Sequence, residues 1–250
     1  MGLESGVFAA LTLGFLLGLK HATDADHVVA VSTIVGRERN LWRSLWIGVS
    51  WGAGHSTPLI VLGFVILLLK DTVLSLYESV APVFEFGVGI MLVYLGINVV
   101  WNILRRNVHV HHHTHGDQSH VHIHTSHTPS NEDGDTENHH GLWRLGKPMF
   151  RARSYTIGLM HGLAGSAAVM LTLLPTIASI WVGIGYLLLF SVGTMLSMAV
   201  ITVLIGIPFV ATGGNANLSR LVGLLAGSMS CIIGISLMSD VVFDTQIIPF

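Results

Sequence analysis

Four ionisable side chains lie close together in a long apolar run near the amino terminus. They are His21, Asp24, Asp26 and His27, in the segment HATDADH, and Lys20 precedes them directly. An ionisable group at membrane depth costs about 2.5–3.5 kcal/mol on insertion scales, and such groups usually mark an ion or substrate pathway. Imidazole and carboxylate groups together form a chelating set for a transition metal. The segment therefore predicts a metal site inside an apolar region.

The spacing of these groups suggests how a helix would present them. In an unbroken helix His21, Asp24 and His27 fall on one face, within an arc of about 120°. Asp26 points elsewhere unless the helix unwinds here, as the discontinuous helices of transporters do. Its other expected roles are to orient a ligand histidine from a neighbouring helix or to pair with a cation. The plainer alternative for the whole cluster is a polar network that only holds helices together.

Two more histidines lie singly in apolar runs, His55 in WGAGHSTP and His161 in MHG. Their glycine neighbours permit close helix approach. A lone buried histidine is often only a hydrogen-bonding group, but all four histidines outside the polar segment lie in apolar runs. Imidazole favours Ni, Co, Zn or Cu, and ligand type alone does not choose among these metals. The predicted metal-binding residues are His21, Asp24, Asp26, His27, His55 and His161.

The other 11 of the 15 histidines lie between residues 109 and 140, in a polar segment that runs from 105 to 153. This composition predicts disorder, because the segment has few apolar residues to bury. Dense imidazole predicts weak metal buffering, with a solvated linker as the alternative. The histidines assigned to buffering are His109, His111, His112, His113, His115, His120, His122 and His124.

Composition predicts an integral membrane protein. Of the 250 residues 51% are hydrophobic and only 10% are charged, and the mean hydropathy is +0.67. A soluble domain carries roughly 25% charged residues. The net charge of −2 argues against nucleic acid as a partner, and the single Cys231 excludes disulfides and cysteine-rich metal sites.

Hydrophobic segments long enough to span a bilayer, about 20 residues each, predict an all-α polytopic protein. The first and fifth are longer than a bilayer requires, so they must tilt, project or break. Similar residues recur in both halves, as in Gly18, Leu19 and His21 against Gly158, Leu159 and His161. The fold expected is two inverted three-helix repeats, 1–104 and 154–250, joined by the disordered loop 105–153. The six predicted spans are 6–35, 44–69, 80–104, 154–174, 179–208 and 217–242.

The basic residues predict the orientation in the membrane. Ten Lys and Arg residues in loops or at span ends fall on one side of a six-span topology, and only Lys70 falls on the other. Because cytoplasmic loops carry the excess of Lys and Arg, both termini are predicted outside and the histidine-rich loop in the cytoplasm. The ten residues are Arg37, Arg39, Arg43, Arg105, Arg106, Arg144, Lys147, Arg151, Arg153 and Arg220.

The motifs are similar to those of a known family. HATDADH resembles the HX4DH signature of the nickel/cobalt transporter family (NiCoT, in the NicO superfamily), and Gly54-His55-Ser56-Thr57 resembles its second motif. The resemblance implies a Ni(II) or Co(II) permease with His21, Asp24, Asp26, His27 and His55 at metal positions. Where the family's third motif has acidic residues, this chain has GLMHGLAGS, which resembles the shorter UreH-type branch.

These inferences predict a secondary transporter of Ni(II) or Co(II) in the cytoplasmic membrane, acting in uptake. It would not be an enzyme, would hold no tightly bound cofactor, and would pass its ion to a cytoplasmic metallochaperone or a urease maturation system. The alternatives left open are efflux by the same fold, an intramembrane metallohydrolase and a haem-binding electron carrier with membrane histidines.

Overall fold

The computed structural model describes the chain over residues 2–36, 38, 40–69, 71–105, 110–115, 118–123, 150–164, 171, 173–211, 216–245 and 247. Within these ranges the chain forms α-helices, one 3₁₀ turn at Leu174–Thr176 and one two-stranded hairpin. The helices are α1 (Gly2–His21), α2 (Ala25–Val35), α3 (Leu41–Leu69), α4 (Asp71–Arg105), α5 (Ala152–His161), α6 (Ile180–Ala211) and α7 (Ala216–Phe243).

Four of these helices, α3, α4, α6 and α7, are long and apolar enough to cross a membrane. Helices α1 and α2 pass the same test together, as a broken span bent by 55°. Large apolar side chains such as Phe8, Val83 and Trp181 are 70–79% exposed. A soluble protein rarely exposes wide apolar patches. Over the described residues the architecture is therefore that of a helical membrane protein with four candidate spans, or five if the broken pair counts as one.

The break between α1 and α2 lies within the HATDADH segment. Helix α1 ends at His21, and Asp24 has the extended backbone (φ −61°, ψ 145°) of the residue preceding α2. The Thr23 hydroxyl donates to the Lys20 carbonyl at 2.6 Å, a local bond that competes with helical hydrogen bonding. The helix is therefore not continuous through His21, Asp24 and His27, as in the stated alternative of an unwound helix, and the bend turns Asp26 into the interior.

The fourth predicted span, 154–174, is only partly described. It is helical over Ala152–His161, turns at 162–164 and resumes as the 3₁₀ turn Leu174–Thr176, while 165–170 and 172 lie outside the described residues. The six-span arrangement remains a prediction.

The histidine-rich segment includes strands β1 (Val110–His115) and β2 (Gln118–Ile123), which pair antiparallel with His111 opposite His122. Disorder was expected here, and β-branched residues such as Val110, Val121 and Ile123 favour extended backbone instead. Residues 106–109, 116–117 and 124–149, with His109 and His124 among them, lie outside the described residues.

Small residues allow the spans to pack closely. Gly89 lies against Gly234 and Gly96 against Gly227, so α4 and α7 run antiparallel with their backbones in near contact. Gly48 and Gly52 of α3 lie against Met198 and Met195 of α6 in the same way. Helix α1 packs along α6, and α5 packs along α3. Such close contacts are typical of membrane helix interfaces. This packing places the ends of α1 and α5 next to α2 and α3 in the interior of the bundle.

Candidate metal centre

Four histidines from four helices meet in the interior of the bundle. His21 is the last residue of α1, His27 lies in the first turn of α2, His55 lies in the middle of α3, and His161 is the last residue of α5. Their exposed fractions are 4%, 0%, 1% and 0%, and that of Asp26 is 2%. All four histidines that the sequence places in apolar runs thus converge, together with one buried carboxylate. We call these five residues the central cluster.

Glycines bring α5 against α3 and so bring His161 towards His55. A Cβ atom at Gly54 would overlap the carbonyl oxygen of Tyr155, and one at Gly158 would overlap that of Trp51. A Cβ atom at Gly162 would overlap the carbonyl of His55 itself. The two backbones touch over this stretch, and the rings of His55 and His161 lie 6.1 Å apart.

One chain of hydrogen bonds joins Asp24, His21 and His55. The Nδ1 of His21 lies 3.1 Å from a carboxylate oxygen of Asp24, and its Nε2 lies 2.8 Å from the Nε2 of His55. Since a carboxylate only accepts, a neutral His21 donates from Nδ1 and offers the lone pair of Nε2 to the N–H of His55. The other oxygen of Asp24 accepts from the Lys20 ammonium at 3.0 Å. Asp24 therefore fixes the direction in which His21 presents Nε2.

A second chain is centred on Asp26. One carboxylate oxygen lies 2.8 Å from the Nδ1 of His27, and the other lies 2.8 Å from the Nε2 of His161. Both imidazoles donate to the carboxylate, which leaves the Nε2 of His27 and the Nδ1 of His161 with free lone pairs. These two nitrogens are buried and have no hydrogen-bond partner among the described residues, and the same is true of the Nδ1 of His55. A buried imidazole nitrogen left open, with its ring held by a carboxylate, is typical of a metal ligand.

Two groups of three side chains offer ligand atoms within 4.8 Å of one another among the described residues. The first triad is His21, His27 and His55, and the second triad is Asp26, His27 and His161. The rings of the first triad have centroids 4.6–4.9 Å apart. Asp24 is more exposed, with 13% of its side chain accessible, and it reaches the cluster through His21. The set predicted from sequence is therefore brought together, with Asp24 at its edge.

Trp51 is a member of this neighbourhood that the sequence analysis missed. Its indole stacks on His55 with ring centroids 5.1 Å apart and an angle of 8°. It meets His27 and His161 edge to face at 5.2 and 5.3 Å. The residue is fully buried. The spacing i, i+4 to His55 was the available signal, because residues four apart share a helix face.

A curated relative covers nearly the whole chain. The urease accessory protein UreH of Bacillus sp. (strain TB-90) is 38% identical over 232 residues, which are 93% of this chain and 91% of the relative. The chain belongs to the UreH family, a short branch of the nickel/cobalt transporter (NiCoT) family. The resemblance drawn from HATDADH and GHST is thereby confirmed.

More distant relatives of this UreH-family chain are found in a plant. Chloroplast protein FOR GROWTH AND FERTILITY 2 of Arabidopsis thaliana is 25% identical over 209 residues, 82% of this chain and 49% of that protein. Chloroplast protein FOR GROWTH AND FERTILITY 1 is 34% identical over 70 residues, 27% of this chain and 19% of that protein. No family model and no solved structure matches the chain.

Proposed function

We propose that this UreH-family protein is a secondary transporter that moves Ni(II), and also Co(II), across the cytoplasmic membrane. The observation that carries the proposal is the first triad, in which the rings of three buried histidines lie within 4.9 Å of one another inside a bundle of apolar helices. Three imidazoles suit a borderline divalent metal rather than Mg²⁺ or Ca²⁺. The transported ion is the substrate, and the protein has no catalytic role.

The residues divide into ligands and orienting groups. In this proposal His21, His27 and His55 bind the ion through Nε2, and the carboxylates of Asp24 and Asp26 hold the first two rings through Nδ1. Carboxylates in that outer position fix ring orientation and increase the basicity of the ligand. His161 holds the second oxygen of Asp26. Binding requires unprotonated imidazole, so acidification releases the ion.

We further propose that the two halves form an inverted repeat. Gly18 of α1 lies against Phe190 of α6, and Gly158 of α5 lies against Trp51 of α3. The first helix of each half therefore packs against a long helix of the other half. The reciprocal pairs Gly89 with Gly234 and Gly96 with Gly227 fit the same two-fold relation. The two contacted residues, Trp51 in α3 and Phe190 in α6, are 139 positions apart in the sequence, close to the 140 that separate Gly18 from Gly158. Movement of one half against the other would then expose the central cluster to each side in turn.

The orientation proposed from the basic residues places the histidine-rich segment in the cytoplasm and both termini outside. Reporter fusions test this: alkaline phosphatase joined to either terminus is expected to be active, and a fluorescent protein joined there to be dark. In this arrangement the segment receives the incoming ion, buffers it and passes it to a metallochaperone or a urease maturation system. The name of the Bacillus relative, a urease accessory protein, supports that recipient.

The proposed direction is uptake. Cells that express the protein are expected to retain more radioactive nickel than control cells, and cells with the His21→Ala variant are expected to match the controls. Lower retention than in controls would establish efflux by the same fold instead. Proteolysis by the purified protein, lost in His21→Ala, would favour a metallohydrolase.

A further inference from the structure

The central cluster is too spread out to hold one ion with all its members. Ligand atoms of His21, His27 and His55 lie within reach of one ion, and so do those of Asp26, His27 and His161. The rings of His55 and His161, in contrast, are 6.1 Å apart, against 4.4 Å for His27 and His161. Only His27 belongs to both triads. The cluster therefore divides into two overlapping sets.

Trp51 packs against members of both triads. Its indole contacts His55 with its face and His161 at an edge, and it is fully buried. A tightly packed ring of this size does not move aside without disturbing both helices, since interiors are close-packed.

His27 can serve both triads because its two nitrogens are in different situations. Its Nδ1 lies 2.8 Å from Asp26, on the side of the second triad. Its Nε2 is buried and has no partner. The Nδ1 of His161 is open as well. The nitrogens that face Asp26 are instead the Nδ1 of His27 and the Nε2 of His161, so an ion in the second triad would replace the protons of these two hydrogen bonds.

The two triads differ in charge and in origin. The first has three imidazoles, all from α1, α2 and α3. The second has a carboxylate and two imidazoles, and it joins α2 to α5 on the far side of the histidine-rich segment. A carboxylate attracts a divalent cation more strongly than neutral imidazole at the same distance. In the first triad the ion is held by residues of the first half alone. In the second triad it is held by Asp26 and His27 of the first half and by His161 of the second half.

We propose that the ion occupies two successive positions, first on His21, His27 and His55 and then on Asp26, His27 and His161, with His27 retained throughout. This inference rests on the proposed transport function. It assigns His161 to the path of the ion, and in the second position residues of both halves hold the ion.

The test compares equilibrium binding with transport, using Co(II) as a spectroscopic probe of the purified full-length protein. In His161→Gln the glutamine amide still donates to Asp26 while the second imidazole ligand is lost. We expect this variant to bind Co(II) within threefold of wild type, with an unchanged absorption spectrum, and to transport it at least tenfold more slowly. His27→Gln is expected to lose both binding and transport.

Two controls test whether a loss of transport is specific to His161 and whether the variant is folded. Thr156→Val alters an exposed residue on the same helix, whose hydroxyl bonds only the Ala152 carbonyl in its own turn, and should transport normally. Monodisperse elution with an unchanged melting temperature shows that His161→Gln is folded. If it is not folded, His161→Asn takes its place, with the same expected pattern.

Three results would overturn the two-position path. The first is normal transport by His161→Gln. The second is a loss of Co(II) binding in His161→Gln as large as that in His27→Gln. The third is a Co(II) absorption spectrum of His161→Gln that shows one imidazole ligand fewer than the wild type. The last two would show one merged site and leave the transport function standing. Wild-type protein that neither binds nor moves Ni(II) or Co(II) would remove the proposed function and the path together.

Discussion

The Nε2 atoms of His21 and His55 face each other at 2.8 Å across the contact between α1 and α3. At that distance one proton lies between the two nitrogens, so the two imidazoles are hydrogen-bonded to each other and leave no room for a metal ion between them. A metal bound to both at about 2.0–2.1 Å per bond needs a wider separation. The pair therefore opens slightly when the ion enters, and His55 is the ligand whose removal tests this most simply.

Replacing His55 with phenylalanine should abolish transport without unfolding the protein. The phenyl ring can keep the stack on Trp51, but it offers no nitrogen to the ion. We expect nickel affinity to fall by more than about 100-fold, since outer-shell changes alone cost 10–100-fold. Isothermal titration of the purified protein measures this. Val61→Ala on the same helix, 60% exposed, is the control and should bind normally; equal affinity in His55→Phe would remove His55 from the ligand set.

Asp24 should affect affinity through His21 rather than by binding the ion itself. Asp24→Ala removes the acceptor for the Nδ1 of His21, and α2 loses no cap because the Asp24 side chain makes no capping hydrogen bond. We expect nickel affinity to drop about 10–100-fold.

Lys20 provides the matched comparison for Asp24. Its side chain is 67% exposed, so its ion pair with Asp24 is weak, and Lys20→Met should change affinity by less than about fivefold. An effect of Lys20→Met as large as that of Asp24→Ala would show that the charge, and not the ring orientation, is what matters.

Gly54 should tolerate no side chain, because α3 and α5 touch there. A Cβ atom would overlap the carbonyl oxygen of Tyr155, and backbone cannot move aside as a flexible side chain can. We expect Gly54→Ala to lose about 1–3 kcal/mol or more of stability, seen as a lower melting temperature in detergent. Gly87→Ala is the control, since nothing lies within 4 Å of its Cβ position. Equal melting temperatures for the two variants would contradict the close contact.

Ser230 should make a small contribution to the contact between α7 and α4. Its hydroxyl donates to the Leu92 carbonyl at 2.8 Å across the helix interface. Interhelical bonds of this kind average about 0.6 kcal/mol, and Ser230→Ala should lose that much in unfolding from mixed micelles. Ser191→Ala, whose hydroxyl bonds Leu187 in its own helix, should change less. A loss of several kcal/mol from Ser230→Ala would show that the hydroxyl has another role.

The composition of the cluster was predictable from sequence, but its geometry was not. Ionisable residues in an apolar segment indicate a functional site because their burial is costly. For this reason HATDADH, His55 and His161 could all be predicted from the sequence. The break after His21 could not be read from helical periodicity, which assumes an unbroken helix. The bend decides that Asp26, and not Asp24, is the buried carboxylate. It also creates the link from Asp26 to His161, across 135 residues of chain.

Trp51 and the hairpin were missed for different reasons. An aromatic residue in an apolar helix carries no signal of its own, and only the i, i+4 spacing to His55 connects it with the cluster. In the histidine-rich segment, disorder was predicted from the overall polar composition. That prediction did not take into account the β-branched residues Val110, Val121 and Ile123, which favour the paired strands.

Transport of nickel by the purified protein in liposomes tests the account most directly. Vesicles with wild-type protein should accumulate radioactive nickel down an imposed gradient, faster than protein-free vesicles. His27→Ala, which lacks the one residue common to both triads, should reduce the rate to that of protein-free vesicles while Val61→Ala retains it. Nickel transport by His27→Ala at the wild-type rate would contradict the account, because the ion would then cross without the central cluster.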